Sequence, residues 1–293
     1  MSQPTLPGRW GEQTYIMGIL NVTPDSFSGD GILQQKEYVA AAVAQARRFA
    51  QAGAHILDVG GESTRPGAEP LGLSQELQRV IPVIEALTAE QLGVILSVDT
   101  YKAEVAEAAL QAGVHWVNDI WALRADPQMA SLVARYQVPV IMMHNRLKPE
   151  RVELLQQVAG PFTTAYEDLI EDVTRELLAS VALAHAAGIS DANIILDPGI
   201  GFGKTAAQSC ELVNRLGEIR ALGYPLLLGP SRKSFIGQTL NLPVEQRLEG
   251  TAAAVAVGIA RGADIVRVHD VESMARLVAM TDAIVRRSGR RAT

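Results

Sequence analysis

The sequence predicts an α/β chain that forms a single (β/α)8 barrel, and three observations support this prediction. Short apolar segments of strand length recur along the chain, amphipathic segments of helix length separate them, and no change of composition divides the chain in two. Such alternation is typical of a parallel sheet covered by helices. A doubly wound parallel sheet is the alternative, because a sequence does not show strand order. The GxGxxG motif typical of dinucleotide-binding doubly wound sheets does not follow the first strand.

Eight segments rich in Ile, Val and Leu are predicted to be strands buried on both faces. They cover residues 15–21, 55–60, 94–99, 115–119, 138–144, 193–197, 225–229 and 264–269. Apolar residues at helical spacing predict helices, for example over residues 38–51, 75–87, 102–111, 164–187 and 250–260. Gly53, Gly113 and Gly262 each follow a helix and precede a strand, where a left-handed residue commonly ends the helix.

Length, charge and cysteine content restrict the class of protein. The 293 residues suffice for one large barrel, predicted over residues 14–285, with an N-terminal extension over 1–13 and a basic C-terminal tail over 286–293. The net charge of −6 argues against a nucleic-acid partner. No apolar run reaches the roughly 18 residues of a membrane span, so no membrane association is expected.

The chain contains one cysteine, Cys210, which cannot form a disulfide within the chain. We expect it to be an ordinary buried or half-buried residue and not a catalytic nucleophile. A single cysteine suits a reducing compartment, and the N-terminal residues lack the pattern of a signal peptide. The sequence therefore favours a cytoplasmic location.

Polar residues stand at or near the carboxyl end of the predicted strands, where (β/α)8 barrels carry their active sites. These residues are Asn21, Asp58, Asp99, Asn118, Asp119, His144, Asp197, Arg232, Lys233, Arg267 and His269. A barrel without a site would not need this pattern. Single residues keep a structural alternative: Asp99 could cap the next helix, and Asp197 could stabilise the turn before Pro198.

The strand-end residues fall into two chemical groups. Asp99, Asn118 and Asp197 offer carboxylates and an amide, which together suit the donor and acceptor edge of a nitrogen-rich heterocycle such as guanine or pterin. The second group is basic, which suggests a phosphate or pyrophosphate pocket, and consists of Arg65, Arg232, Lys233, Arg267 and His269. The glycine-bracketed loop around Arg65 could close over a substrate.

Two patterns point elsewhere and are rejected. The segment from Gly199 to Thr205 ends in Gly-Lys-Thr, but Pro198 stands where a phosphate-binding P-loop requires its first glycine. We expect its glycines to let the backbone approach a flat ligand, with Phe202 as a stacking surface. The His and Asp residues of the strand ends lack the short spacing of a zinc site, so a Mg²⁺ that bridges a pyrophosphate is favoured instead.

Long motifs at most of these strand ends resemble those of the dihydropteroate synthases. Met17-Gly18-Ile19-Leu20-Asn21-Val22-Thr23-Pro24-Asp25-Ser26-Phe27-Ser28 is similar to the first signature of the family, and the segment 58–67 is similar to the second. Matching segments follow at 97–100, 118–120, 197–204, 231–234 and 267–270. The resemblance spans Met17 to Asp270, which is nearly the whole chain.

The resemblance implies a transferase of folate biosynthesis. In this reaction 6-hydroxymethyl-7,8-dihydropterin pyrophosphate loses pyrophosphate, and the amine of p-aminobenzoate takes its place. The implied pterin pocket consists of Asp99, Asn118, Asp197, Phe202, Gly229, Lys233 and Met142. The implied pyrophosphate pocket consists of Asn21, Arg65, Arg267 and His269, with Asn21 as the Mg²⁺ ligand. The implied p-aminobenzoate site and mobile loops contain Phe27, Thr64, Pro66, Arg232 and Ser234.

The resemblance also implies a mechanism and partners. Asp99, Asp197, Lys233, Arg267 and His269 would act in a dissociative displacement that needs no nucleophilic side chain. Sulfonamides are expected competitors of p-aminobenzoate, and a homodimer is expected. A pterin-binding barrel that transfers a methyl group to a corrinoid protein is one alternative, and a relative that only binds pterin is another.

Two segments depart from the family pattern. The family commonly shows Asp-Gly-Gly after the first signature, whereas this chain has Gly29-Asp30-Gly31. After the fifth strand many members have Met-His-Met-x-Gly, whereas this chain has Met143-His144-Asn145-Arg146. For His144 we therefore favour a structural role over a role in pterin binding.

Overall fold

The computed structural model describes residues 6, 9–22, 32–62, 71–147 and 164–286, with side chains from residue 37 onward in the first helix. Eight parallel strands are present: β1 (Tyr15–Asn21), β2 (Ile56–Gly60), β3 (Ile95–Asp99), β4 (Trp116–Asp119), β5 (Val140–Met143), β6 (Ile194–Asp197), β7 (Leu227–Leu228) and β8 (Ile265–Val268). Their positions match the eight predicted strands, and β5 and β7 are each three residues shorter than predicted. Pro225, which lacks an N–H, stands just ahead of β7.

The strands form a closed ring. Hydrogen-bonded neighbours follow the order β6-β5-β4-β3-β2-β1-β8-β7, and a parallel bridge between Leu196 and Leu226 joins the two ends. A doubly wound sheet would instead be open and would reverse its strand order at a switch point. The predicted (β/α)8 barrel is therefore confirmed, and the doubly wound alternative is wrong.

Helices follow the strands and cover the outside of the ring. They are α1 (Ile32–Gln51), α2 (Leu73–Glu90), α3 (Ala103–Gln111), α4 (Met129–Tyr136), α5 (Leu169–Ala186), α6 (Ala206–Asn214), α7 (Leu216–Arg220), α8 (Ser234–Leu240), α9 (Leu248–Ala260) and α10 (Val271–Val285). Gly53, Gly113 and Gly262 have φ of +99°, +110° and +102°, as predicted for helix stops before a strand. No described helix is long and apolar enough to cross a membrane.

The two faces of each strand have different surroundings, because successive side chains of a strand point to opposite sides. Inside the barrel one apolar cluster fills the centre, and it consists of Tyr15, Met17, Ile56, Ile95, Trp116, Ile141, Ile195, Leu227 and Ile265. The alternate residues pack against the helices in a second, larger core. Two residues further along, the inward positions of five strands become polar, which places a polar site above the apolar centre of the barrel; these positions are Asp58, Ser97, Asn118, Asp197 and Arg267.

The opposite, amino-terminal end of the barrel is covered by the residues that precede β1. Trp10 packs edge-on against Tyr15, with ring centroids 5.5 Å apart. Asp264 accepts hydrogen bonds from the backbone N–H groups of Gly11 and Leu226, both at 3.0 Å. Both carboxylate oxygens of Asp282 accept from Thr14, each at 2.7 Å. Arg220 and Leu226 also contact Asp264. We call this region, residues 9–16 and 220–226 with Asp264 and Asp282, the barrel floor.

Candidate functional site

Arg267 on β8 stands at the centre of the polar residues inside the carboxyl end of the barrel. Its Nε donates to Oδ2 of Asp58 at 2.6 Å, and its Nη2 donates to Oδ2 of Asp99 at 2.6 Å. Asn118 donates from Nδ2 to the same Asp58 oxygen at 2.9 Å. Three strands thus contribute acidic or amide groups around one guanidinium, as the inward-facing strand ends predicted.

Asp58 is fully buried; it is one of the strand-end residues noted in the sequence, but it was assigned to none of the ligand pockets. It pairs in register with Ser97, one layer deeper than Asp99, which pairs with Gly60. Its second oxygen, Oδ1, is buried without a hydrogen-bond partner among the described residues. Period-two counting from Ile56, an interior residue, would have identified it as inward-facing.

Burial dominates the ionisation of Asp99. Its pKa is raised to about 7 by burial; the charge of Arg267 opposes this shift, and the neighbouring carboxylate of Asp58 adds to it. When the pKa of a carboxyl group lies near neutrality, little free energy is needed at neutral pH either to protonate the group or to ionise it for pairing with hydrogen-bond donors of a ligand. Perturbed groups of this kind cluster at functional sites.

Asp197 and Lys233 form the second part of the site. Asp197, at the end of β6, is 6% exposed and accepts at Oδ1 from the N–H of Gly199 at 2.7 Å. Lys233 donates to the carbonyl of Ile200 and lies 4.5 Å from the centroid of the Phe202 ring. Burial lowers the pKa of Lys233 to about 8 against the charge of Asp197. Burial likewise raises the pKa of Asp197, although the charge of Lys233 opposes it.

Gly229 separates the two parts of the site. A Cβ at this position would lie 3.8 Å from the Cβ of Arg267 and 4.0 Å from Nζ of Lys233. Asp99, Asn118, Asp197, Phe202, Gly229, Lys233 and Arg267 are therefore brought to one end of the barrel. Both acidic and basic groups converge there, which suits a ligand with a donor edge and an anionic tail.

Met142 lies elsewhere than the sequence analysis placed it. Its side chain is fully buried in the core between the strands and the helices, because it alternates with the interior residue Ile141. Met143 points to the carboxyl end instead, in a small cluster with Ile120, Trp121 and Phe202. Met143 therefore replaces Met142 in the lining of the site.

The residues of segment 231–234 have different positions and partners. Ser231 Oγ lies 3.0 Å from Nδ1 of His269, so these two residues form a pair at the rim. Arg232 has φ of +57° and turns outward, where its guanidinium forms an ion pair with Asp270. Ser234 is the first residue of α8. Arg232 thus already has a carboxylate partner in the structure.

Asn21 ends β1 and shares the inward orientation of Tyr15 and Met17, which alternate with it along the strand. Among the described residues, no three His, Cys, Asp or Glu side chains are grouped so that they could hold a metal ion. A single amide oxygen fits a Mg²⁺ ion whose remaining ligands are waters and pyrophosphate oxygens, because Mg²⁺ in such sites takes few protein ligands.

The loop after β6 uses its glycines for contacts within the protein. Gly199 has φ of +70°, and a Cβ there would lie 2.0 Å from the backbone oxygen of His144. The sequence predicts that these glycines let the backbone approach a ligand. Gly199 instead lets it approach the backbone of His144 in the neighbouring loop. Thr205, the last residue of the Gly-Lys-Thr pattern, caps α6 by accepting from Gln208 N at 3.1 Å.

Two further residues singled out in the sequence, Cys210 and Asp119, lie away from the site. Cys210 is exposed on α6, so the expectation that it is buried or half-buried is wrong. Asp119 faces away from the site and accepts from the N–H groups of Trp121 and Leu123, each at 2.8 Å. Phe27, Thr64, Arg65 and Pro66 lie outside the described residues.

Comparison with known proteins gives a consistent result. Residues 17–269 match the family model described as pterin binding enzyme. The chain is 50% identical over 278 residues to the dihydropteroate synthase of Bacillus subtilis, covering 95% of this chain and 91% of that protein.

Solved structures agree in fold as well as in sequence. The dihydropteroate synthase of Xanthomonas albilineans, solved with 4-aminobenzoic acid, superposes with a TM-score of 0.83 at 41% identity and covers 94% of each chain. The Yersinia pestis enzyme, solved with a sulfonamide drug complex, superposes with a TM-score of 0.83 at 40% identity and covers 94% of this chain and 95% of that one.

Proposed function

The chain belongs to the dihydropteroate synthase family of pterin-binding enzymes, which are transferases of folate synthesis, and we propose that it condenses 6-hydroxymethyl-7,8-dihydropterin pyrophosphate with p-aminobenzoate. The products are 7,8-dihydropteroate and pyrophosphate. The observation that carries this proposal is the convergence of Asp99, Asn118, Asp197, Lys233 and Arg267 inside one end of the barrel.

Recognition of the pterin follows from the donors and acceptors of this cluster. A pterin presents a 2-amino group and ring nitrogens along one edge, which a carboxylate can bind through two hydrogen bonds. Asp197 is fixed by Gly199 N and offers its second oxygen to such an edge. Asn118 supplies an amide at the same end of the barrel, and Phe202 with Met143 supplies an apolar surface for the ring.

Departure of the pyrophosphate requires positive charge beside the leaving oxygens. Arg267 lies within β8 and His269 directly follows this strand. With Asn21 and Arg65 they form the proposed pyrophosphate pocket. Arg267 is bound by two carboxylates, so a ligand that takes Asp99 would leave its Nη2 free for an anionic oxygen. A bound Mg²⁺, held on the protein side by Asn21, would add further charge for the leaving group.

We propose a dissociative displacement. Loss of pyrophosphate leaves positive charge on the pterin methylene, and the carboxylates of the partly buried Asp99 and the buried Asp197 stabilise it electrostatically. The amine of p-aminobenzoate then forms the new C–N bond and releases a proton. The chain's own residues bind, orient and exclude water, and no side chain forms a covalent intermediate.

The p-aminobenzoate side is assigned to Phe27, Thr64, Pro66, Arg232 and Ser234. Support comes from the solved relatives that contain 4-aminobenzoic acid or a sulfonamide drug. Within this set, Ser234 is favoured for the carboxylate of the substrate, because Arg232 is paired with Asp270. Sulfonamides would compete for the same position.

A cytoplasmic homodimer is also part of the proposal. Helices α9 and α10 pack beside each other and expose Val257, Met280 and Ile284, at 42%, 63% and 69%. The α9 sequence is apolar around most of its circumference, which is typical of a helix with apolar neighbours on more than one side. Sedimentation of the wild type beside Met280→Glu with Ile284→Glu tests the dimer.

The reaction is tested by measuring pyrophosphate and dihydropteroate together, with Mg²⁺ and with or without p-aminobenzoate. Equal amounts of both products that depend on p-aminobenzoate support the proposal. Pterin binding without either product would contradict it and favour a binding-only protein. Methyl transfer from methyltetrahydrofolate to a corrinoid protein would favour the other alternative.

A further inference from the structure

A buried lysine outside the pterin-contacting set fixes the loop that carries Phe202. Lys204 is 6% exposed, and its Nζ lies 3.0 Å from each of three atoms: the carbonyl oxygens of Gly199 and Phe202, and Nδ1 of His144. Burial lowers the pKa of Lys204 to about 7, and in its protonated form the amine has three N–H donors and no acceptor. Every donor of Lys204 therefore has a partner inside the protein, and none is left for a ligand.

His144 continues the chain of contacts toward α5. Because Lys204 donates to Nδ1, the ring proton of neutral His144 is on Nε2, which donates to Oε2 of Glu176 at 3.0 Å. Burial lowers the pKa of His144 to about 4, so the neutral form dominates at neutral pH. Burial would raise the pKa of Glu176, but the hydrogen bonds from His144 and Arg146 lower it to about 2.

Arg146 belongs to the segment that departs from the family pattern, and it has partners on α5. Its Nε donates to Oε1 of Glu176 at 2.9 Å, and its Nη2 lies 2.8 Å from Oδ2 of Asp172. The guanidinium also covers the Tyr166 ring at 4.0 Å. The departure after β5 thus comes with an ion-pair network that holds Glu176 in place.

The turn held by Lys204 presents two groups to the site. Phe202 N donates to Gly199 O at 3.1 Å, so residues 199–202 form a closed turn whose two end carbonyls both accept from Lys204. Between them, Ile200 offers its carbonyl to Lys233, and Phe202 offers its ring to the same ammonium. The position of Lys233 therefore depends on the turn, and the turn depends on Lys204.

We propose that Lys204 is a positioning residue for pterin binding, and that Glu176 acts through His144 to hold Lys204 against the turn 199–202. This inference rests on the proposed function. Lys204 touches no substrate; it stabilises the arrangement of Phe202 and Lys233 before the pterin arrives. Binding energy is then not used to order the loop.

The test compares Lys204→Met with the wild type by calorimetric titration of pterin pyrophosphate with Mg²⁺, below the unfolding temperature of each protein. The substitution leaves two carbonyls and an imidazole nitrogen without their donor, so the dissociation constant should rise about tenfold or more. Once the pterin is saturating, the KM of p-aminobenzoate should change by less than about twofold.

Arg220→Met is the matched control. Arg220 is a partly buried cation at the barrel floor, where its Nε lies 3.3 Å from Oδ2 of Asp264 and its Nη1 donates to the carbonyl of Tyr224. Its loss should lower stability and leave the pterin dissociation constant unchanged. Equal weakening in both variants would mean a general structural effect and would overturn the inference.

Glu176→Gln decides the question if Lys204→Met does not fold. It keeps an oxygen that can accept from His144 and removes the negative charge, so a smaller loss of pterin affinity, about threefold, is expected. Unchanged affinity in Glu176→Gln, or in a folded Lys204→Met, contradicts the inference. A wild type that does not bind the pterin would overturn the proposed function and this inference with it.

Discussion

The two ends of the barrel both bury carboxylates, but they treat them differently. At the barrel floor, Asp264 and Asp282 accept hydrogen bonds from the backbone or hydroxyl donors of Gly11, Leu226 and Thr14. At the carboxyl end, Asp58 keeps an oxygen without a partner among the described residues, and Asp99 shares an arginine with it. A buried carboxylate with hydrogen-bond partners on both oxygens stabilises the fold, whereas one with an unpaired oxygen can accept a hydrogen bond from a ligand.

The largest expected effect is that of Asp197→Asn on turnover. The amide keeps an oxygen for Gly199 N but removes the negative charge that is proposed to face the developing cation. We expect kcat to fall by about 1000-fold, while the unfolding temperature changes little, because the amide keeps the hydrogen bond from Gly199 N. Dihydropteroate formation and thermal unfolding measure the two quantities. Activity within tenfold of the wild type would remove Asp197 from the mechanism.

Gly199→Ala should have the next largest effect, on stability. Its φ of +70° and the 2.0 Å approach of the His144 carbonyl leave no room for a methyl group, so we expect a loss of about 3 kcal/mol. The control is Gly223→Ala near the floor, where φ is +92° but no atom lies within 4 Å of the added carbon. That variant should lose only about 1 kcal/mol. If both variants lose the same free energy of unfolding in urea, the close approach of the His144 carbonyl does not contribute to the cost of Gly199→Ala.

Asp264→Asn at the floor tests the other half of the comparison. It disturbs acceptors for Gly11, Leu226 and Arg220, and we expect a stability loss of about 2 kcal/mol. Turnover per folded molecule should stay at the wild-type value. Reduced kcat in fully folded protein would contradict the separation of the two ends.

The smallest expected effect is a pH dependence of stability. The pKa of Asp99 is raised from 3.8 to about 7, so the folded protein binds more protons than the unfolded chain between these values. Its contribution to the free energy of unfolding therefore falls as pH rises through that window. Asp99→Asn lacks this contribution and should gain about 1 kcal/mol relative to the wild type between pH 6 and pH 7. A constant difference across this range would show that Asp99 ionises normally in the folded protein.

Much of the fold followed from the sequence because the strands are buried apolar runs separated by amphipathic helices. The boundaries of β1 and the helix stops at Gly53, Gly113 and Gly262 were predictable for the same local reasons. The shortness of β7 was less apparent, because it depends on where pairing begins after Pro225.

Residue orientation was the harder part of the site. Met142 and Met143 are chemically alike and adjacent, and strand alternation, which gives the inward position to Met143, decides between them. Lys204 could not have been identified as a loop anchor, since its partners are two carbonyls of the turn after β6 and the ring of His144 after β5. Cys210 is exposed on α6. The residues around it in the sequence did not show which face of the helix it would occupy.

The comparison of the two ends can be tested directly by hydrogen–deuterium exchange on addition of pterin pyrophosphate and Mg²⁺. The account predicts slower exchange in segments 197–204, 229–234 and 267–270 at the carboxyl end, and unchanged exchange in residues 9–16 and 222–226 at the floor. Slower exchange at the floor with none at the carboxyl end would contradict the placement of the pterin site.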